Sequence, residues 1–238
     1  MKFDDVKKLQ QKKYRQQSRA FLLEGEHLIQ ELDKARQHNP ALANAELWIT
    51  EHYQDWPGDW RKHLISERQM KQLSETKTPQ GIVAVVPMDA IQPKVATERA
   101  VYLYQIQDPG NLGTILRTLA WFGGFRCLLS PGSVDPFNSK VLRASMGATF
   151  HVPIEQDVSL ESLPQRFQSL GYLDMQGAAV THNDFHRCDC LIFGNEARGV
   201  PRDALAAAQA FTIAGQGRIE SLNLASTVNM CVYELQRG

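Results

Sequence analysis

Apolar positions fall into two successive patterns along the chain. Residues 3–18 read as one helix, and Phe21-Leu22-Leu23 as a short buried strand. Leu28, Ile29 and Leu32 share one helical face, which predicts a helix from Glu26 to His38. Leu47-Trp48-Ile49 suits a strand, Ser66 to Leu73 a short helix, and the apolar run Ile82 to Val86 a central strand. The periodicity then stops in the proline-containing stretch 87–99, which predicts a linker between domains at 1–92 and 98–238.

The second segment alternates more regularly. Strands are predicted at 101–107, 126–130, 151–154, 177–181, 190–193 and 211–213, and helices at 111–122, 137–146, 159–170, 201–209 and 223–236. Such alternation predicts an α/β domain with a mostly parallel sheet and helices on both faces. Ligands of these sheets bind beyond the carboxyl ends of the strands. Three segments there carry candidate chemistry: Asp108 to Gly113, Gly194 to Gly199, and Ala214 to Asn223.

In the first, Gly110 and Gly113 suggest a tight turn that brings backbone close to a ligand. The following helix buries Leu112, Ile115, Leu116 and Leu119. Arg117 lies roughly 140° from Leu112 at 100° per residue, off that stripe. It is a candidate site residue or a solvated surface arginine. In the second, Gly194, Asn195, Glu196 and Gly199 suit a loop whose peptide groups face a ligand, with Glu196 alternatively serving the next helix dipole. In the third, Ser221 or Asn223 suits a helix cap. The last helix carries the stripe Leu224, Val228, Cys231, Val232 and Leu235, which fits a core or a second subunit.

Composition narrows the classes. Hydrophobic residues at 43% suffice for a buried core. Lys+Arg and Asp+Glu are both 26, so any nucleic-acid surface must be local. Residues 1–20 hold Lys2, Lys7, Lys8, Lys12, Lys13, Arg15 and Arg19 against Asp4 and Asp5. That cluster suits phosphates or a solvated helix face. Four cysteines are too few for a disulfide framework, and His186-Arg-Cys188-Asp-Cys190 fits no zinc spacing, so no metal is expected. The N-terminus lacks the apolar core of a secretory signal, and no apolar run spans a bilayer. A cytoplasmic setting with no membrane partner is the expectation. Neither GxxxxGK(S/T), GxGxxG after a first strand, HExxH nor GxSxG occurs, which removes the P-loop, the common dinucleotide turn and two hydrolase signatures.

DPGNLGTILRTLAWFG, IFGNEARGVP and IxxxGxxESLNLASTVNMCVYELQR, in this order, resemble the three motifs of the SpoU/TrmH branch of the SPOUT RNA methyltransferases. KVLRASMGATFHVP falls where that family has a similar arginine-serine-glycine segment. KKYRQQSRAFLLEGEHLIQE and TPQGIVAVV resemble the substrate-binding domain that precedes many such enzymes. The resemblance implies a C-terminal deep trefoil knot and a small ribosomal-protein-like α/β domain that binds RNA. It further implies S-adenosylmethionine as cofactor, a homodimer with sites shared between subunits, and methylation of a ribose 2′-hydroxyl.

Carried onto this chain, Arg117 takes the central catalytic place, supported by Asn111, Glu196, Ser221 and Asn223. Phe193, Gly194, Asn195, Glu196, Gly199, Ile213, Leu222 and Asn223 would hold the cofactor. Arg143, Lys12, Lys13 and Arg15 are the candidate contacts to RNA. Ribosomal RNA is favoured over transfer RNA. The alternatives are a transfer-RNA enzyme, a base-nitrogen methyltransferase and a non-catalytic RNA-binding or ribosome-assembly protein. Two departures stand out: Ile213-Ala214-Gly215 replaces the family's Ile-Pro-Met, and Thr227 and Asn229 replace small apolar residues.

Overall fold

A computed structural model describes residues 1–91, 99–218 and 221–237. Its elements are α1 (Phe3–Lys8), α2 (Lys12–Ser18), β1 (Ala20–Glu24), α3 (Glu26–Arg36), β2 (Glu46–Ile49), β3 (Arg61–Leu64), α4 (Glu67–Leu73), β4 (Ile82–Pro87), β5 (Arg99–Leu103), α5 (Pro109–Phe122), β6 (Phe125–Leu129), α6 (Ser139–Ser145), β7 (Ile154–Glu155), α7 (Leu163–Arg166), β8 (Leu170–Ala179), α8 (Asn183–His186), β9 (Cys190–Phe193), β10 (Ala208–Thr212) and α9 (Leu224–Arg237). Most of the stretch expected as a linker lies outside the described residues. Two compact units result, Met1–Gln92 with Asp135–His151, and Pro93–Val134 with Val152–Gly238.

The first unit carries a four-stranded sheet in the order β1-β4-β2-β3. Strand β4 runs antiparallel to both β1 and β2, and β3 runs parallel to β2. Both faces are covered, so Ile82, Ala84 and Val86 join one core with Leu28, Ile29 and Leu32 of α3, while Val83 and Val85 join another with Val6, Leu9 and Met70. That explains why β4 reads as an unbroken apolar run.

The helix expected over 3–18 is two helices. Arg15 Nη1 takes the carbonyls of Leu9 and Gln10 at 2.9 and 2.8 Å, which holds the break between α1 and α2. Strand β3 was not expected, because RKHL has no apolar alternation. It is an edge strand whose exposed and half-buried side chains need none.

The second unit carries a six-stranded sheet, order β10-β8-β9-β5-β6-β7, with every pairing parallel. Ala100, Tyr102, Leu128, Cys190 and Ile192 form one face, packed on Leu163, Phe167 and Leu205. Helix α5 lies against β6 and α9. The helix expected at 159–170 shrinks to a 3-10 turn and α7, with Pro164 in its first turn. The one expected at 201–209 is a 3-10 turn over Arg202–Leu205, because Ala208 already pairs with Leu170 in the sheet. Strand pairing overrides the helical propensity of the alanines.

Strand β8 starts earlier than expected and bulges. It pairs with β10 through Tyr172 and again from Ala178, so the residues between are displaced from the ladder. A Cβ on Gly177 would sit 2.4 Å from the Phe211 nitrogen, so the returning chain needs glycine there.

Candidate functional site

Parallel pairing puts the ends of β5, β9 and β10 on one edge, and each end leads into one of the three candidate segments. The first is a helix start rather than a glycine turn. Asp108 caps α5, its Oδ1 accepting from the Asn111 N–H at 2.7 Å, and Pro109 occupies the first position. Gly110 and Gly113 lie inside α5, and neither has a positive φ. The expected tight turn is therefore corrected, since a capped helix already brings backbone to the strand end.

The second segment is a closed hairpin. Asn195 and Gly199 exchange backbone hydrogen bonds of 3.1 and 2.9 Å. Gly199 has φ +66, and a Cβ on Gly194 would lie 2.7 Å from the Gly199 carbonyl carbon. One glycine thus supplies a left-handed backbone and the other a close crossing. The Asn195 side chain is buried and fully engaged: Nδ2 donates to the Gln105 carbonyl at 2.8 Å, and Oδ1 accepts from the Ala197 and Arg198 N–H groups. It shapes the loop.

In the third segment, Asn223 caps α9, its Oδ1 accepting from the Ser226 N–H at 3.1 Å. Its Nδ2 donates to Asn111 Oδ1 at 2.9 Å, and Asn111 Nδ2 donates to Glu196 Oε1 at 3.0 Å. One carboxamide therefore joins all three segments. The helix-dipole reading of Glu196 gives way to this bond.

Beside that junction lies a cleft of about 1350 Å³. Phe193, Gly194, Asn195, Glu196, Gly199, Ile213, Leu222 and Asn223, the residues expected at the cofactor, all line it, and Ser221 lines it with them. Tyr172, the last residue of β8 before its bulge, and Leu173, Asp174 and Met175 within the bulge also line it, residues that sequence reasoning missed. Their only sequence signal is Gly177, whose meaning depends on contact with β10. Asp174 is half-buried, its Oδ1 accepting from the Gln176 N–H at 3.0 Å, with Arg202 at 3.8 Å.

Arg117 stands apart within the chain. It is exposed on α5 and lines a shallow depression with Thr114, Thr118, Trp121 and Phe122, outside the lining of the cleft. Within the chain Asn223 engages Asn111 rather than Arg117. Nearby, Thr118 Oγ1 bonds Asn229 Oδ1 at 2.7 Å, so one departure from the family pattern ties α5 to α9.

The expected RNA contacts divide. Lys12 and Lys13 are exposed, and Arg143 is half-buried. Arg15 is corrected: it is 4% exposed and donates to Asp135 from Nε at 3.0 Å and from Nη2, so its guanidinium is buried in an ion pair rather than presented to a phosphate. All four cysteines are buried and unbonded, and burial raises each thiol above its ordinary range, Cys127 and Cys231 to about 12.

Fold and site together define a class: a parallel α/β protein with a three-loop cleft at its strand ends and with neither a P-loop nor a glycine-rich dinucleotide turn. Comparison with known proteins makes that class specific. The SpoU rRNA Methylase family matches residues 98–233, and an MRM3-like substrate binding domain matches residues 2–84. The 23S rRNA (guanosine(2553)-2′-O)-methyltransferase RlmP of Bacillus subtilis (strain 168) is 34% identical over 248 residues, covering 99% of this chain and 96% of its own. A TrmH-family structure from Porphyromonas gingivalis superposes with a TM-score of 0.82 at 29% identity, covering 99% of this chain and 96% of that one. An AdoMet-bound rRNA methyltransferase from Sinorhizobium meliloti does so with 0.74 at 27%, covering 99% and 94%. The chain belongs to the SpoU rRNA methylase family.

Proposed function

We propose that this protein methylates a ribose 2′-hydroxyl of ribosomal RNA, using S-adenosylmethionine held in the three-loop cleft. The observation that carries this is the Asn223–Asn111–Glu196 junction at the cleft, formed by the three motif segments. The lining suits the cofactor. Ile213, Leu222, Leu205 and Val200 offer apolar surface to a purine, peptide groups around Gly194 and Gly199 offer hydrogen bonds, and the carboxylates of Glu196 and Asp174 complement a cation. When bound, S-adenosylmethionine supplies an electrophilic methyl group, to which the 2′-oxygen bonds as the carbon–sulfur bond breaks.

The chain's own residues prepare the oxygen. Guanidinium groups are cations in proteins, so Arg117 acts by its charge rather than as a base. It grips the phosphate beside the target ribose and stabilises the developing alkoxide, while a phosphate oxygen or water accepts the proton. Asn111 positions the nucleotide end of the cleft, and Glu196 and Ser221 hold the loops around it.

Because Arg117 lies outside its own cleft, the reading includes a homodimer in which the partner subunit's Arg117 completes the site. Exposed Trp121, Met230 and Tyr233 on α5 and α9 give such a dimer apolar surface to bury. Lys12, Lys13 and Arg143 contact RNA in this scheme, and the knotted C-terminal topology and cytoplasmic setting belong to the same reading.

Calorimetric titration with S-adenosylmethionine tests it. Saturable heat of binding is expected. A flat trace would leave a non-catalytic RNA-binding scaffold instead.

A further inference from the structure

The segment Asp135–His151 belongs by sequence to the methyltransferase family region, yet it packs with the first ninety residues. Phe137 stacks on Phe21 with ring centroids 4.8 Å apart, and Leu142 joins the core around α3. Ser139 bonds Glu75, and Gly147 lies so close to Glu31 that a Cβ would come within 2.6 Å of its Cβ. Asp135 accepts from Arg15 through Oδ2 and from the Phe137 N–H through Oδ1 at 2.9 Å.

The Arg15–Asp135 pair is the hub of this arrangement. Both side chains are at least nine-tenths buried. The guanidinium also takes the Leu9 and Gln10 carbonyls, so one side chain fixes the end of α1, the helix α2 that carries it, and the start of the segment leading to α6. Four of the five guanidinium N–H groups are bonded, and a buried ion pair is costly to leave half-made, which makes it a positional lock.

The lock holds two short cationic helices in fixed places. Helix α2 exposes Lys12 and Lys13, and α6 exposes Lys140 and carries half-buried Arg143. Arg143 Nη1 is out of solvent with no acceptor among the described residues. None of these four forms an ion pair among the described residues, whereas Lys8, Arg19 and Lys34 are taken by Asp5, Asp89 and Glu31. Unpaired cations on rigidly joined helices suit a ligand of repeated negative charge, and planar guanidinium suits phosphate oxygens.

We infer that α2 and residues 135–151 form one composite surface for the phosphate backbone of RNA, with Lys140 as a contact and with Arg15 and Asp135 as its positioning residues. This rests on the functional reading above, since it names which part of the chain grips the substrate.

The test measures binding of a 23S rRNA transcript to the full-length protein over a range of salt. The variants are Lys140→Glu, Arg143→Gln, the double Lys12→Glu/Lys13→Glu, and Asp135→Asn. Each removed cation lowers the slope of log affinity against log salt by roughly 0.7–0.9. Asp135→Asn, which removes no cation, lowers it too and raises the KM for RNA, while affinity for S-adenosylmethionine by calorimetry stays at the wild-type value. If Asp135→Asn does not fold, Lys140→Glu and Arg143→Gln decide alone. Wild-type slopes in both of those, beside a loss in the Lys12/Lys13 variant, would overturn the composite surface and leave the functional reading standing. A wild-type protein without affinity for the transcript would overturn that reading, and this inference with it.

Discussion

Asn223 donates from Nδ2 to the Asn111 carboxamide oxygen at 2.9 Å, across 112 residues of chain. The other end of the same carboxamide donates to Glu196. An amide alone can do both, because it carries a donor and an acceptor on one planar group. Asn111→Asp keeps the size and removes the donor, setting a second carboxylate against Glu196. Affinity for S-adenosylmethionine should fall about tenfold or more, in line with losing a hydrogen bond to a charged group. Asn111→Ala, which adds no repulsion, should lose less. Equilibrium dialysis against labelled cofactor checks the order, and wild-type affinity in Asn111→Asp would remove the junction from the binding site.

The α/β alternation and the order of the three motifs were legible in the sequence, because apolar period and motif order are local properties. What was not legible depends on partners far along the chain. Arg15 reads as one more cation in a basic stretch until Asp135 is placed against it. Ala208 reads as helix until it must pair with Leu170. Leu173 to Met175 have no motif, and they line the cleft where β8 leaves its ladder. The place of Arg117 outside the cleft has the same origin. Its helical phase was readable, but which elements surround it was not.

If the partner subunit supplies Arg117, two inactive variants should complement one another. Arg117→Ala keeps its cleft and Asn223→Ala keeps its arginine. Subunits mixed and reassembled should recover about a quarter of wild-type turnover, since half of the dimers are mixed and each has one competent site. Methyl transfer by the mixture measures this. An arginine acting within its own chain gives no recovery.

Gly215 stands where the family has methionine. Its φ lies outside the left-handed region, and a Cβ there meets nothing within 4 Å. Gly215→Ala should therefore remove freedom from the cofactor loop without strain. A gain of about 0.4–1 kcal/mol is expected, or roughly two- to fivefold tighter cofactor binding. A competition titration against the wild-type protein reads it, and weaker binding would mean that the loop needs its freedom.

The buried thiols set an alkaline limit on stability. Burial holds Cys127 and Cys231 at about 12, above the ordinary 9.0. A raised thiol pKa leaves stability intact below the unfolded value and removes it as pH rises from there toward the folded value. Each such thiol costs up to about 1.4 kcal/mol per pH unit in that window. Urea midpoints should be level to pH 8 and decline from pH 9 to 10. Native protein at pH 8 should also resist iodoacetamide until it is unfolded. Rapid labelling of the folded protein would contradict the burial of these thiols.

The central claim concerns where the methyl group goes. The direct measurement is mass spectrometry of nucleosides from 23S rRNA incubated with the protein and methyl-deuterated S-adenosylmethionine. The label should appear on the ribose of a single kind of nucleoside and vanish with Arg117→Ala. Label on a base, or on the ribose in undiminished amount with Arg117→Ala, would contradict the account.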